Sequence, residues 1–153
     1  MLLPDANIRS SSYYIAQTTA QCMYCGEWTR VLALALPPNH EMLAEEEWQS
    51  VAAGAFVFHL TALPKSVQRE LKRLSGSFRP ARGADPTSYW ANHCEHCERR
   101  VSDDELHCEP GGFMPSHADE AVAILLSPIM QAFSAVAAGY APDPAFFMSM
   151  RKG

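Results

Sequence analysis

Two cysteine pairs, Cys22-Met23-Tyr24-Cys25 and Cys94-Glu95-His96-Cys97, constrain this chain more than any other feature. Two-residue spacing lets both sulfurs of a tight turn reach one ion. Two such turns complete a tetrahedral four-cysteine set, the usual ligand set of structural zinc. The pairs stand 68 residues apart, so a shared ion would pin an early segment to a late one. Four thiolates leave no position for water or substrate, so the expected site is structural and not catalytic. Iron accepts the same ligands, and cellular availability favours zinc. A redox Cys-x-x-Cys belongs in a βαβ setting, which the residues after Cys25 do not suggest. Plain thiol pairs or a disulfide are the remaining readings. Cys108, His93 and His96 lie close enough in sequence to replace a ligand, and the spacing alone leaves that open.

Five cysteines are an odd number for a disulfide framework, and the spacing suits a metal in a reducing compartment. The first residues lack a basic region followed by an apolar one, so no signal peptide is expected, and the expected location is cytoplasmic. At 153 residues and 48% apolar composition, one zinc-binding domain over 1–153, with a long insertion between the cysteine pairs, is the expectation. A formal charge of −5 argues against a general nucleic-acid binder without excluding a local basic patch. The uncharged run over 121–142 is long enough to span a bilayer. Its Ser127, Pro128, Gln131, Ser134 and Gly139, and its lack of a flanking basic cluster, favour buried helices and no membrane.

Tyr13 to Ala20 is rich in aromatic and β-branched residues and runs as a strand into the first cysteine pair. Gly26 suits the left-handed turn behind it. Trp28 to Leu36 is a second strand, ended by Pro37-Pro38 and apolar on both faces from Val31, hence central in a sheet. Residues 39–50 carry four glutamates and read as a surface loop or short helix, with Trp48 folding back. Ala55 to Leu60 reads as a third strand. Pro64 opens a helix over 64–74, with Val67, Leu71 and Leu74 on one face and Lys65, Arg69, Lys72 and Arg73 on the opposite one. Ser88 to His93 is a short strand entering the second pair, and Val101 to Cys108 a candidate return strand. Ser116 and Ser127-Pro128 look like helix starts and Gly139 like a helix stop, which puts helices over 117–138.

Beyond the cysteines, the strongest signal is charge. Lys65, Arg69, Lys72, Arg73, Arg79 and Arg82 are half of the twelve basic residues. They are a solvated helix face or a surface for an anionic partner. Aromatics are sparse among them, which counts against nucleic acid. His40-Glu41 opens like a zincin motif, but Ala44 stands where the second histidine belongs. With no nucleophile elbow and no phosphate-binding loop, no catalytic residue is assigned.

The knuckles Cys22-Met23-Tyr24-Cys25-Gly26 and Tyr89 to Cys97 resemble those of zinc-ribbon proteins. Together with the stretch Leu32 to Glu41 and the Phe-Phe near the C-terminus, they resemble an uncharacterised bacterial zinc-ribbon-like family. That resemblance implies a bacterial cytoplasmic origin and a metal site, and brings no activity. Glu98, where the first knuckle has Gly26, departs from the ribbon pattern. The expected fold is α+β: a small sheet carrying the knuckles, packed against helices at 64–74 and 117–138. The expected function is a zinc-stabilised protein-interaction module, an adaptor or regulator with a protein partner. A nucleic-acid-associated zinc ribbon using the basic residues is the alternative, and an enzyme with an unrecognised site the third reading.

Overall fold

A computed structural model describes residues 5–80, 89–108, 112–142 and 147–152. Among these, β-structure dominates. In chain order the strands are β1 (Ile8–Ser10), β2 (Tyr13–Gln21), β3 (Trp28–Leu36), β4 (His40–Ala44), β5 (Glu47–Val51), β6 (Ala55–Ala62), β7 (Phe78–Pro80), β8 (Trp90–His93), β9 (Arg100–Val101), β10 (Leu125–Ile129), β11 (Phe133–Pro142) and β12 (Arg151–Lys152). The helices are α1 (Lys65–Leu74), α2 (Asp103–Cys108) and α3 (Ala118–Ala121). The twelve strands join in one mixed sheet, ordered β12-β10-β2-β3-β6-β11-β1-β4-β5, with β8 attached to β6 and carrying β7 and β9. Only the β10–β12 pair is parallel among the described strands.

The centre of this sheet is β3, and its sequence explains why. Leu32, Leu34 and Leu36 point to one face and Val31, Ala33 and Ala35 to the other, all buried. The leucine face meets Ile8, Ile15, Leu60 and, from α1, Val67 and Leu71. The small-residue face meets Phe56, Phe113, Ala121, Leu126 and Met150, with Leu106 of α2. The smaller alanines leave room for the bulkier Phe56 and Phe113, whose rings lie 5.5 Å apart. Strands β2, β3 and β6 and helix α1 fall where periodicity places them.

The expected α+β fold with a small sheet is overturned. The segment 117–138 holds only the one-turn α3, then β10 and the start of β11. Of the residues that suggest helix there, Ser116 precedes the one-turn α3, and Ser127, Pro128 and Gly139 each have a strand role. Ser127 and Pro128 lie in β10 opposite Ile15 and Tyr14. The described pairing with β12 ends at Leu126, and no described strand pairs that side of β10 at Pro128, where a proline is tolerated. Gly139 faces Phe58 across the β11–β6 ladder, and the aromatic ring covers it, so this glycine clears space for a ring and ends no helix. No described helix is long and apolar enough to cross a membrane.

Two smaller expectations also change. Residues 39–50 form the β4–β5 hairpin, whose turn residues Glu45 and Glu46 both adopt positive φ, 50° and 68°. That is the conformation Asn-Gly normally supplies, so two glutamates gave no sign of it. Trp48 does not reach the core; its ring sits under the Arg9 guanidinium at 4.0 Å. The candidate return strand at 101–108 is only β9, Arg100–Val101, followed by α2.

Candidate metal centre

The first half-site is the loop of the β2–β3 hairpin, closed by the pair Gln21↔Trp28. The second is the loop between β8 and β9, closed by His93↔Arg100. The two turns match position for position. Cys22 N–H donates to Glu27 O at 2.8 Å, and Cys94 N–H to Arg99 O at 2.8 Å. Gly26 N–H donates to Cys22 O, and Glu98 N–H to Cys94 O, both at 2.9 Å. The amides of Tyr24 and His96 point at Cys22 Sγ and Cys94 Sγ, each at 3.4 Å. Gly26 has φ +77° and Glu98 φ +63°. Glu98 thus adopts the left-handed backbone that glycine takes in the first turn, at a cost of about 1 kcal/mol. Glu98→Gly is therefore expected to raise stability by about 0.5–1 kcal/mol, read as a higher thermal midpoint with unchanged metal content.

The two turns face each other, and the four sulfurs all lie within 4.8 Å of one another, close enough to hold one metal ion. Cys22 and Cys97 are 3.6 Å apart, as are Cys25 and Cys94. Thiolates at the corners of a tetrahedron, each about 2.3 Å from a central ion, sit about 3.8 Å apart. Cys22 and Cys94 are buried, and Cys25 is exposed. Backbone amides of Cys25 and Tyr24 aimed at the sulfur lower the Cys22 thiol to about 7. At Cys94 burial opposes ionisation, but the amides of Cys97 and His96 outweigh it and the thiol is lowered. Cys25 and Cys97 shift upward. An amide, Glu27 or Arg99, lowers each, but burial and the neighbouring thiols more than reverse this. A bound cation draws all four to the thiolate form, so binding releases protons and weakens as pH falls.

Side chains, not a backbone ladder, fasten the second turn to β3. Asn92 is buried and copies a peptide group: Leu32 N–H donates to its Oδ1 and its Nδ2 donates to Leu32 O, both at 2.8 Å. Glu95 N–H donates to Thr29 Oγ1 at 2.9 Å, and Arg30 N–H donates to Glu95 Oε1 at 2.7 Å. That amide, with the Arg30 and Thr29 side chains, holds the Glu95 carboxyl below its ordinary value. His96 Nε2 donates to Trp28 O at 3.2 Å. Asn92→Ala leaves a buried N–H and C=O of Leu32 without partners. It is expected to cost about 3 kcal/mol and to raise hydrogen exchange at Leu32 above that of the rest of β3.

Neither histidine joins the sulfur cluster. His93 is buried, its Nδ1 donates to Ser77 O at 3.1 Å, and burial lowers its pKa. Cys108 is exposed at the end of α2. His40, which opened the partial zincin motif, is a core histidine: Nδ1 donates to Pro37 O at 2.8 Å and Nε2 accepts from Tyr140 at 2.7 Å.

The basic residues divide. Lys65, Arg69 and Lys72 follow one another at helical spacing along α1, and with Arg79 they line a groove of about 500 Å³. Arg73 turns away to an ion pair with Glu70 at 3.0 Å. Arg82 lies outside the described residues. The groove also holds Phe78 and Trp90, which sequence reasoning did not associate with the charges. Phe78 is the neighbour of Arg79 in the chain, while Trp90 arrives through the β7–β8 pairing, Pro80↔Trp90, a contact with no local signature. No family model matches the chain, and neither does any curated protein or solved structure, so the bacterial zinc-ribbon-like resemblance has the two knuckles alone to stand on.

Proposed function

We propose that the chain is a zinc-stabilised interaction module, an adaptor or regulator, that holds an anionic partner in the groove beside α1. Zinc suits the centre because four cysteine sulfurs lie within 4.8 Å of one another, and a four-thiolate set closes a tetrahedral zinc site with no open position. The metal's role is then to hold the second turn, and β8 behind it, against the central strand of the sheet.

The reading is carried by one stripe of charge. Lys65, Arg69 and Lys72 enter no ion pair among the described residues, and all three project from a helix whose other face is locked in the core by Val67 and Leu71. Cations that stabilise a fold are usually paired; a row of unpaired ones on a rigid helix is a focused positive field available to a partner. The test is heparin chromatography of the metal-loaded protein and of Arg69→Glu/Lys72→Glu. Wild type is expected to be retained at low salt and to elute earlier as salt rises. The double variant should pass through unretained with an unchanged thermal midpoint. Equal elution of the two proteins would remove the groove from the function.

A further inference from the structure

The groove combines two features that a merely solvated helix face does not need together. One wall is cationic: Lys65, Arg69 and Lys72 from α1 and Arg79 from β7. The other is aromatic, with Phe78 buried and Trp90 half-buried, their rings stacked at 6.1 Å with 30° between planes. An acidic peptide would satisfy the first wall and leave the second unused. An apolar ligand would do the reverse. A ligand that satisfies both carries concentrated negative charge at one end and a flat ring at the other.

Size and charge narrow the choice further. A volume of about 500 Å³ lies within the range of small-molecule pockets, roughly 300–1,000 Å³, and holds one such unit. A nucleic-acid strand carries one negative charge per nucleotide, so four cations around one unit are too dense for a strand. They match a ligand that gathers several charges on a single nucleoside. We propose that the groove binds a free nucleoside polyphosphate, its phosphates against Lys65, Arg69, Lys72 and Arg79 and its base against Trp90. This deepens the anionic-partner reading above and depends on it. Arg79 Nη1 donates to Gly76 O at 3.4 Å, a second residue of the groove lining.

The experiment uses the full metal-loaded chain carrying Trp28→Phe and Trp48→Phe, which leaves Trp90 as the sole tryptophan reporter. ADP, inorganic pyrophosphate and an eight-nucleotide single-stranded oligothymidylate are titrated at low salt. ADP is expected to quench Trp90 emission and to bind about five-fold or more tightly than pyrophosphate, because base stacking on an aromatic ring is worth about 1–3 kcal/mol. Arg69→Ala and Lys72→Ala should each weaken ADP about ten-fold while leaving the thermal midpoint in place. Pyrophosphate binding as tightly as ADP would overturn the proposal, since the ring would then go unread. The oligonucleotide binding more tightly than ADP would overturn it in favour of a strand. No ADP binding in a protein that still needs Arg69 and Lys72 for heparin retention would overturn the nucleotide and leave the anionic-partner reading standing. Loss of both would sink the two together.

Discussion

Replacing Cys22 with Ser is expected to abolish stoichiometric metal binding and, with it, cooperative folding. Structural zinc in tetrathiolate sites supplies about 10–16 kcal/mol of apparent binding free energy, against a net stability of about 5–15 kcal/mol for an ordinary domain. A serine hydroxyl does not ionise at neutral pH and is a poor zinc ligand, so most of that contribution disappears. The damage should not stay local. Cys22 directly follows β2, and Trp28 begins β3, two interior strands of the sheet. Metal analysis of purified protein should fall from about one ion per chain to a small fraction, with a broadened thermal transition. Cys108→Ser is the matched control: that thiol is exposed and lies outside the sulfur cluster, so its loss should change neither reading. If Cys22→Ser kept full metal content, the four-sulfur centre would be wrong.

Gly139→Ala should be the most damaging single methyl group in the described chain. A Cβ at Gly139 would overlap the Phe58 ring. The ring cannot swing aside freely, because its other face is stacked on His107 at 4.4 Å with planes 6° apart. Either β11 moves off β6 or the stack is broken. Overpacking of this kind costs about 3 kcal/mol or more, which for a domain of this size lowers the thermal midpoint by about 6–12 °C. Phe58→Leu in the same chain should recover part of the loss. The double variant is expected to be more stable than the sum of the two single changes predicts, the signature of a direct contact. Strict additivity would show that ring and glycine do not meet.

The same residue shows where the sequence stops being legible. Cysteine spacing is covalent chemistry written in one place, so the four-sulfur centre can be read without a structure. The period of α1 and the two-sided apolar run of β3 are local patterns, and they too read correctly. Gly139 and Pro128 are different, because each has two meanings. A glycine after an alanine-rich run ends a helix or makes room for a ring from another strand, and only the partner, Phe58, decides. Pro128 starts a helix or sits in a strand past the end of a pairing, and only the described reach of β12 decides. The turn at Glu45-Glu46 is hidden for another reason: its conformation is imposed by the β4–β5 pairing against the preference of its residues. At the groove, Phe78 stands beside Arg79 in the sequence and was there to be read, whereas Trp90 meets the cations of α1 only through the β7–β8 pairing, which no local scan could find.

The clamp's two halves differ in how soon the chain can make them. The first is a tight hairpin, closed within its own few residues by Gln21 and Trp28. Such hairpins form in about 1–10 μs, and this one can offer two sulfurs almost as soon as its strands pair. The second turn lies 68 residues further along, and its search for the first is made slower by loop-closure entropy. An ion captured early therefore waits on two ligands, open to exchange with any free thiol, until Asn92 and Glu95 find β3 and bring Cys94 and Cys97 alongside. Those side-chain bonds to Thr29, Arg30 and Leu32 set the order of events. Docking of the second turn is then the slow step that completes the ligand set, so refolding speed is expected to depend on Asn92 more steeply than on metal concentration, as stopped-flow refolding of Asn92→Ala at several metal concentrations would read.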